Sequence, residues 1–153
     1  MVNPPLTIYM QSAPHVARLE LQRAAREANL GHRPPEPHLL LRDARSAFHR
    51  KMYRRCILDA AIAVEVVASA LLDQLLDQAV GQPARETLVL ARDPISRKIP
   101  ILRSVGVPLP ADLEKDLFTV RNKVIHQGKQ ASRNEAQKAL DAATAAVTLN
   151  LLV

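Results

Sequence analysis

Three residues that can do acid–base chemistry stand close together near the end of a helical pattern: Arg121, Asn122 and His126. An imidazole titrates near neutrality, so His126 can accept or donate a proton as a general acid or base. The guanidinium of Arg121 carries forked donors that suit an oxyanion. These residue types suit proton transfer beside a negatively charged group.

Helix geometry limits how these side chains can cooperate. Residues five apart on an α-helix are turned by about 140° relative to one another, so Arg121 and His126 do not share a face. Asn122 and His126 are four apart and do share one, so Asn122 can hold or orient the imidazole. We therefore expect Arg121 to point sideways from the other two within one chain.

Other catalytic signatures are missing from the sequence. It has no glycine-rich phosphate loop, no cysteine pair, no His-Glu-x-x-His spacing and no nucleophile elbow. The five histidines are scattered, and only His126 has polar neighbours at helical spacing. We expect no metal site and no cofactor.

The composition is that of an ordinary folded domain. The chain has 153 residues, 48% of them hydrophobic and 24% charged, which is enough for one core. Alanine and leucine dominate and only 3% of residues are aromatic, which favours an all-α fold. The single cysteine, Cys56, agrees with a reducing compartment. With no leader pattern and no apolar run long enough to span a membrane, we expect a cytoplasmic protein.

Positive charge is concentrated in the first third of the chain. The net charge is +6, and residues 1 to 55 hold ten Lys and Arg against four Asp and Glu. Six of these cations form one cluster: Arg42, Arg45, Arg50, Lys51, Arg54 and Arg55. Such a cluster attracts a polyanion through counterion release, or it is simply a solvated helix face.

Hydrophobic spacing predicts an up-and-down bundle of four to five main helices plus short ones. Residues 1–37, with a β-prone run at 6–10, a helix from Ser12 to Gly31 and a proline-rich stretch, form an appendage. The domain itself covers residues 38–153. Its predicted helices are His38–His49, Tyr53–Val80, short pieces within 82–109, Ala111–Gln127, and a last helix opened by a Ser132–Glu135 capping box.

The arrangement of Arg121, Asn122 and His126 before a glycine and a last helix resembles the HEPN superfamily. Its hallmark is an arginine, usually a polar residue, a short spacer and a histidine. An earlier helix with Glu65, preceded by Tyr53, Arg54 and Arg55, is also similar. The resemblance covers residues 38–153, and residues 1–37 carry no part of it.

The resemblance implies a metal-independent endoribonuclease whose site forms at a homodimer interface. Toxins with an antitoxin partner and defence effectors are the roles that it suggests. His126 would act as general acid or base, Arg121 would stabilise the phosphorane, and Asn122 would position His126 or substrate. Glu65 would support the site as a partner for an arginine or a backbone amide. The residues expected to contact RNA are Lys123, Lys129, Arg133, Arg54 and Arg55.

Two other interpretations stay open at this point. In the first, the fold holds RNA or a protein without cutting, as one part of a two-component or larger system. Alternatively, Arg121, Asn122 and His126 merely decorate a helix end, where the helix dipole favours a histidine.

Overall fold

The computed structural model describes residues 26, 29–31, 33–80 and 94–150, without the side chains of 79 and 80. The chain divides into the units Met1–Pro34 and Pro35–Val153. The predicted strand at 6–10, almost all of the helix from Ser12, and the piece at 82–93 lie outside the described residues. The prediction that residues 1–37 form an appendage therefore stays a prediction.

Every element in the described part of the chain is helical, which confirms the predicted all-α class. The second unit contains α1 (Glu36–His49), α2 (Tyr53–Val80), α3 (Ile95–Ser104), a π-helical turn (Glu114–Phe118), α4 (Thr119–His126) and α5 (Arg133–Asn150). No helix among these residues is both long enough and apolar enough to cross a membrane.

Helix α2 is the centre of the bundle, and its bounds are those predicted. It packs against α1, α3, α4, α5 and the π turn. Among the described residues, ten of the 24 buried hydrophobic ones are alanines, drawn from α1, α2 and α5, so these three helices can approach one another closely. Cys56 is fully buried in this core.

Helix α1 begins two residues earlier than predicted. Pro37 lies in its first turn instead of before it. A proline is tolerated there because the first N–H groups of a helix have no partner within the helix.

The predicted helix Ala111–Gln127 is wrong in its first part. Residues 111 and 112 form a turn, and a π turn precedes α4. The N–H of Leu113 donates to the carbonyl of Pro110 (3.2 Å), three residues back, which is the bond of a turn and not of an α-helix. Arg103, in the last turn of α3, also donates to the carbonyls of Pro110 and Ala111 (2.9 and 3.2 Å). The helix begins after this turn.

The last helix starts as predicted, with a reciprocal capping box. The backbone N–H of Glu135 donates to Ser132 Oγ (3.2 Å), and that of Ser132 donates to Glu135 Oε2 (3.0 Å). At its other end, the amide of Asn150 donates to the carbonyl of Pro108 (2.8 Å). Helix α5 is thus fixed at both ends, and with it the loops on either side of α4.

Candidate functional site

Arg121, Asn122 and His126 all lie on the short helix α4. The π turn before it is closed by the N–H of Thr119 donating to the carbonyl of Glu114, and the helix is regular from there to His126. Gly128 follows with φ +64, in the left-handed region that favours glycine. The chain therefore turns back directly after His126.

Arg121 is held by two neighbours. Its Nη2 lies 3.6 Å from Oε1 of Glu65 on α2, and its Nη1 donates to Oδ1 of Asn122 at 3.0 Å. The side chains of Arg121 and Glu65 are 29% and 33% exposed, so solvent still reaches the pair. Glu65 thus meets an arginine, the kind of partner that the sequence suggested for it.

A polar cleft of about 300 Å³ surrounds this pair. Its lining residues come from α2, from the start of α3 and from α4: Glu65, Ser69, Pro94, Ile95, Lys98 and Arg121. Lys98 is only 6% exposed, and its Nζ donates to Ser69 Oγ at 2.8 Å. Ser69 in turn donates to the backbone carbonyl of Glu65 at 2.7 Å. We call this the arginine cleft.

His126 lies outside the arginine cleft. Its side chain is exposed at the last position of α4. The expected hydrogen bond between Asn122 and His126 is absent from the described residues, since the Asn122 oxygen accepts from Arg121 instead. Arg121 and His126 are also separated by about 7.5 Å along the helix axis and turned by about 140°. Within one chain, they do not face a common point.

A second feature opens beside the end of α4. A groove of about 560 Å³ lies between the start of α2 and the loop that joins α4 to α5. Its lining residues are Lys51, Met52, Tyr53, Arg54, Arg55, Leu58, Gly128, Lys129, Gln130 and Ala131. We call this the basic groove. It brings together three of the five residues expected to contact RNA: Arg54, Arg55 and Lys129.

The other two expected RNA contacts lie elsewhere. Lys123 is exposed on α4 but does not line the basic groove. The guanidinium of Arg133 lies 5.9 Å from the ring centre of Phe48, which also packs against the rings of His49 and Tyr53. Arg133 does not line the basic groove.

Two of the groove's cations have carboxylate partners. Arg55 Nε lies 2.6 Å from Asp59, whose hydrogen bond raises the pKa of Arg55. Lys129 Nζ lies 2.6 Å from Glu135, and its hydrogen bond, together with those from Ser132, lowers the pKa of Glu135 to about 2.

Burial raises the pKa of Cys56 to about 11, so this thiol is not a nucleophile near neutral pH.

Sequence reasoning missed two residues of the arginine cleft, buried Lys98 and half-buried Ser69. A signal for Lys98 was present, because it lies beside Ile99 and four residues before Leu102, both fully buried. A lone lysine on the apolar face of a helix requires a polar partner. Ser69 carried no comparable signal, since a serine inside a helix usually bonds its own backbone.

Among the described residues, no group of three or more His, Cys, Asp or Glu side chains is arranged to hold a metal ion.

Comparison with known proteins adds no relative. No family model matches the chain, and no curated protein and no solved structure matches it significantly.

Proposed function

We propose that this chain is a metal-independent endoribonuclease of the HEPN type, acting as a homodimer. The observation that supports it best is the placement of two side chains on α4. Arg121 contacts Glu65 and Asn122, while His126 is exposed at the end of the helix. A fixed guanidinium suits charge stabilisation, and an exposed imidazole suits proton transfer to or from a substrate.

The proposed reaction needs only the groups that these residues carry. The 2′-oxygen of a ribose attacks the adjacent phosphorus while the bond from phosphorus to the 5′-oxygen of the next nucleotide breaks. The products are a 2′,3′-cyclic phosphate and a 5′-hydroxyl. The imidazole of His126 takes the proton of the 2′-hydroxyl, water gives a proton to the leaving 5′-oxygen, and Arg121 stabilises the charge on the phosphorane oxygens.

Two chains are required because one helix cannot direct Arg121 and His126 at one phosphate. If the ends of two α4 helices meet across a twofold axis, Arg121 of one chain can face His126 of the partner subunit. The dimer is thus part of the proposal, since without it the site is incomplete.

Cleavage of RNA in the presence of EDTA tests the activity. We expect the wild-type chain to cut RNA, tRNA included, at least about 100-fold faster than His126→Ala, since general acid–base catalysis contributes about 10²- to 10⁴-fold. A matched control is Lys138→Ala, which removes an exposed cation from α5. If wild type cuts no RNA better than His126→Ala does, the proposal is wrong.

Mixing two inactive variants tests the shared site. A dimer of one Arg121→Ala chain and one His126→Ala chain keeps one intact Arg121 and one intact His126, on different subunits. We therefore expect the mixture, exchanged through mild denaturation and refolding, to recover part of the activity that neither variant has alone. Failure to recover any activity, with dimers verified by sedimentation, contradicts a site built from both chains.

The second candidate function is RNA binding without cleavage. The basic groove favours it, because Lys51 and Arg54 have no carboxylate partner among the described residues. In that case, RNA binding falls with rising salt and is unchanged in Arg121→Ala and His126→Ala, while no product with a cyclic phosphate forms.

A further inference from the structure

We propose that the basic groove binds an unpaired nucleotide of RNA, with its base against an apolar floor and its phosphates on Lys51 and Arg54. The choice of RNA as ligand rests on the proposed function. The groove itself is separate from the residues that would cut, because neither Arg121 nor His126 lines it.

The charge of the groove is unevenly balanced. Arg55 and Lys129 are each paired with a carboxylate at 2.6 Å. Lys51 and Arg54 are exposed, and no carboxylate within the described part of the chain contacts them. Two unbalanced cations at one rim attract the consecutive phosphates of a strand.

The floor of the groove is apolar. Met52, Tyr53, Leu58 and Ala131 contribute to it, and the last three are half-buried. Tyr53 supplies the aromatic ring, and its own position is fixed by Phe48, 5.8 Å away between ring centres. An apolar floor with one ring and a cationic rim suits a flat base joined to a phosphate, because bases stack on aromatic side chains.

The shape of the site favours single-stranded RNA over a duplex. A volume of about 560 Å³ lies within the range of pockets that enclose a small ligand. In an RNA duplex, the base faces are stacked inside the helix and cannot reach such a floor. An unpaired nucleotide exposes its base face and can enter the groove.

The groove also adjoins the proposed catalytic histidine. Gly128, one of its lining residues, follows His126 by two positions, a backbone distance of at most about 7 Å. A nucleotide in the groove is therefore a neighbour of the bond to be cut. We infer that the groove selects unpaired segments for cleavage.

Backbone strain at the rim agrees with a binding role. Lys51 has φ +61, the one non-glycine residue with a positive φ in the described part of the chain. The N–H of Met52 donates to the carbonyl of Ala47 at 2.9 Å, which places Lys51 where glycine usually ends a helix. A lysine is unfavourable there, and such strain collects where a side chain has a use.

Binding of short RNAs tests the proposal apart from cleavage. The protein carries His126→Ala throughout, so that the RNA stays intact. Fluorescence anisotropy compares three eight-nucleotide probes: a single-stranded RNA, the same RNA in a duplex, and an abasic strand with the same charge. We expect the single strand to bind at least about 5-fold more tightly than the abasic strand, which is the lower end of the effect of one stacked base.

Two groove variants test which side chains are responsible for the selective binding. Tyr53→Leu keeps the floor apolar but removes the ring, so its affinities for normal and abasic strands should converge. Lys51→Ala with Arg54→Ala should reduce the slope of log affinity against log salt by about 1.4, or 0.7 for each lost phosphate contact. Lys138→Ala should change neither quantity, and thermal unfolding checks that each variant is folded.

Several results would overturn the proposal. The first is that the protein with an unmodified groove binds the abasic strand as tightly as the normal strand. The second is that it binds the duplex as tightly as the single strand. The third is that an acidic peptide of the same charge competes for the groove as well as the RNA does. If the wild-type protein cuts RNA and the groove variants cut it at the same rate, the groove proposal is wrong and the proposed function stands. If the protein binds single strands selectively but cuts no RNA, the groove proposal stands and the proposed function is wrong.

Discussion

The arginine cleft and the basic groove both concentrate positive charge, but they handle it differently. In the cleft, Arg121 is held by Glu65 and Asn122, and buried Lys98 donates to Ser69. In the groove, two cations are paired with carboxylates, but Lys51 and Arg54 are exposed and have no carboxylate partner among the described residues. A partnered cation has a fixed position, which suits catalysis, whereas an unpartnered one attracts a mobile anion, which suits binding.

The ion pairs of neither region account for the stability of the fold. A solvent-exposed pair contributes about 0–1 kcal/mol, and Arg121–Glu65 is about a third exposed on each side. The stability comes instead from the apolar core around α2. Charges in both regions can therefore be changed without unfolding the protein, which makes the comparison testable.

Removing Arg121 tests the assignment of the cleft to catalysis. We expect Arg121→Ala to lower the rate of RNA cleavage about 10²- to 10³-fold, the cost of losing one preorganised donor to a developing oxyanion. The free energy of unfolding, measured with urea, should change by no more than about 1 kcal/mol. A cleavage loss that is matched by a large loss of stability would show instead that Arg121 is a structural residue.

Glu65→Gln tests whether the partner of Arg121 matters for its position. The glutamine is nearly the same size but removes the carboxylate that lies 3.6 Å from the guanidinium. We expect cleavage to fall about tenfold through a looser Arg121, with affinity for RNA unchanged, since misplacement of a catalytic group is costly. Ala substitution of exposed Asp141 on α5 is the matched control for a lost carboxylate. An unchanged rate in Glu65→Gln would separate Glu65 from the site.

The helices that carry both regions could be predicted largely from the sequence, because their signals are local. The bounds of α2 follow from spacing of apolar residues, and the start of α5 follows from the capping pair Ser132 and Glu135. The π turn before α4 could not be predicted in this way. It is closed by the N–H of Thr119 donating to the carbonyl of Glu114, five residues back, a departure from α-helical bonding that the spacing of apolar residues does not reveal.

The two regions themselves were predicted only in part, since each joins segments far apart in sequence. Arg121 and Glu65 were both identified, but the buried contribution of Lys98 depends on how α3 packs against α2. Arg54 and Lys129 were identified as separate cations. That they line one groove with an apolar floor is a property of the packed helices.

Glu135→Gln tests the balance of charge at the groove. Glu135 has a pKa lowered to about 2, against 4.5 for the ordinary group, so its carboxylate stabilises the folded state above pH 4.5 and loses that effect as the pH falls toward 2. We expect the variant to be less stable than wild type by about 1 kcal/mol at pH 7, a value reduced for solvent exposure. The difference should disappear in urea unfolding near pH 2.

The same variant should bind RNA more tightly. Lys129 would lose the carboxylate that neutralises it at 2.6 Å. We expect affinity for the single-stranded probe to rise about threefold at low salt, with the increase vanishing at high salt. Unchanged or weaker binding at low salt would indicate that Lys129 does not face the RNA.

Lys51→Gly should make the protein more stable and weaken its binding of RNA. Glycine relieves the positive φ of +61, and it adds freedom to the unfolded chain, so the net gain in unfolding free energy should be about 0.5–1 kcal/mol. The same change removes one unpaired cation from the groove rim, so RNA affinity should fall and the salt slope should decrease by about 0.7. Arg50→Gly, at the neighbouring position with φ −80, gains nothing from relief of strain and should destabilise the protein. If Lys51→Gly stabilises the chain and leaves RNA binding unchanged, then the strain at Lys51 serves no ligand, and the contrast between the two regions loses its strongest support.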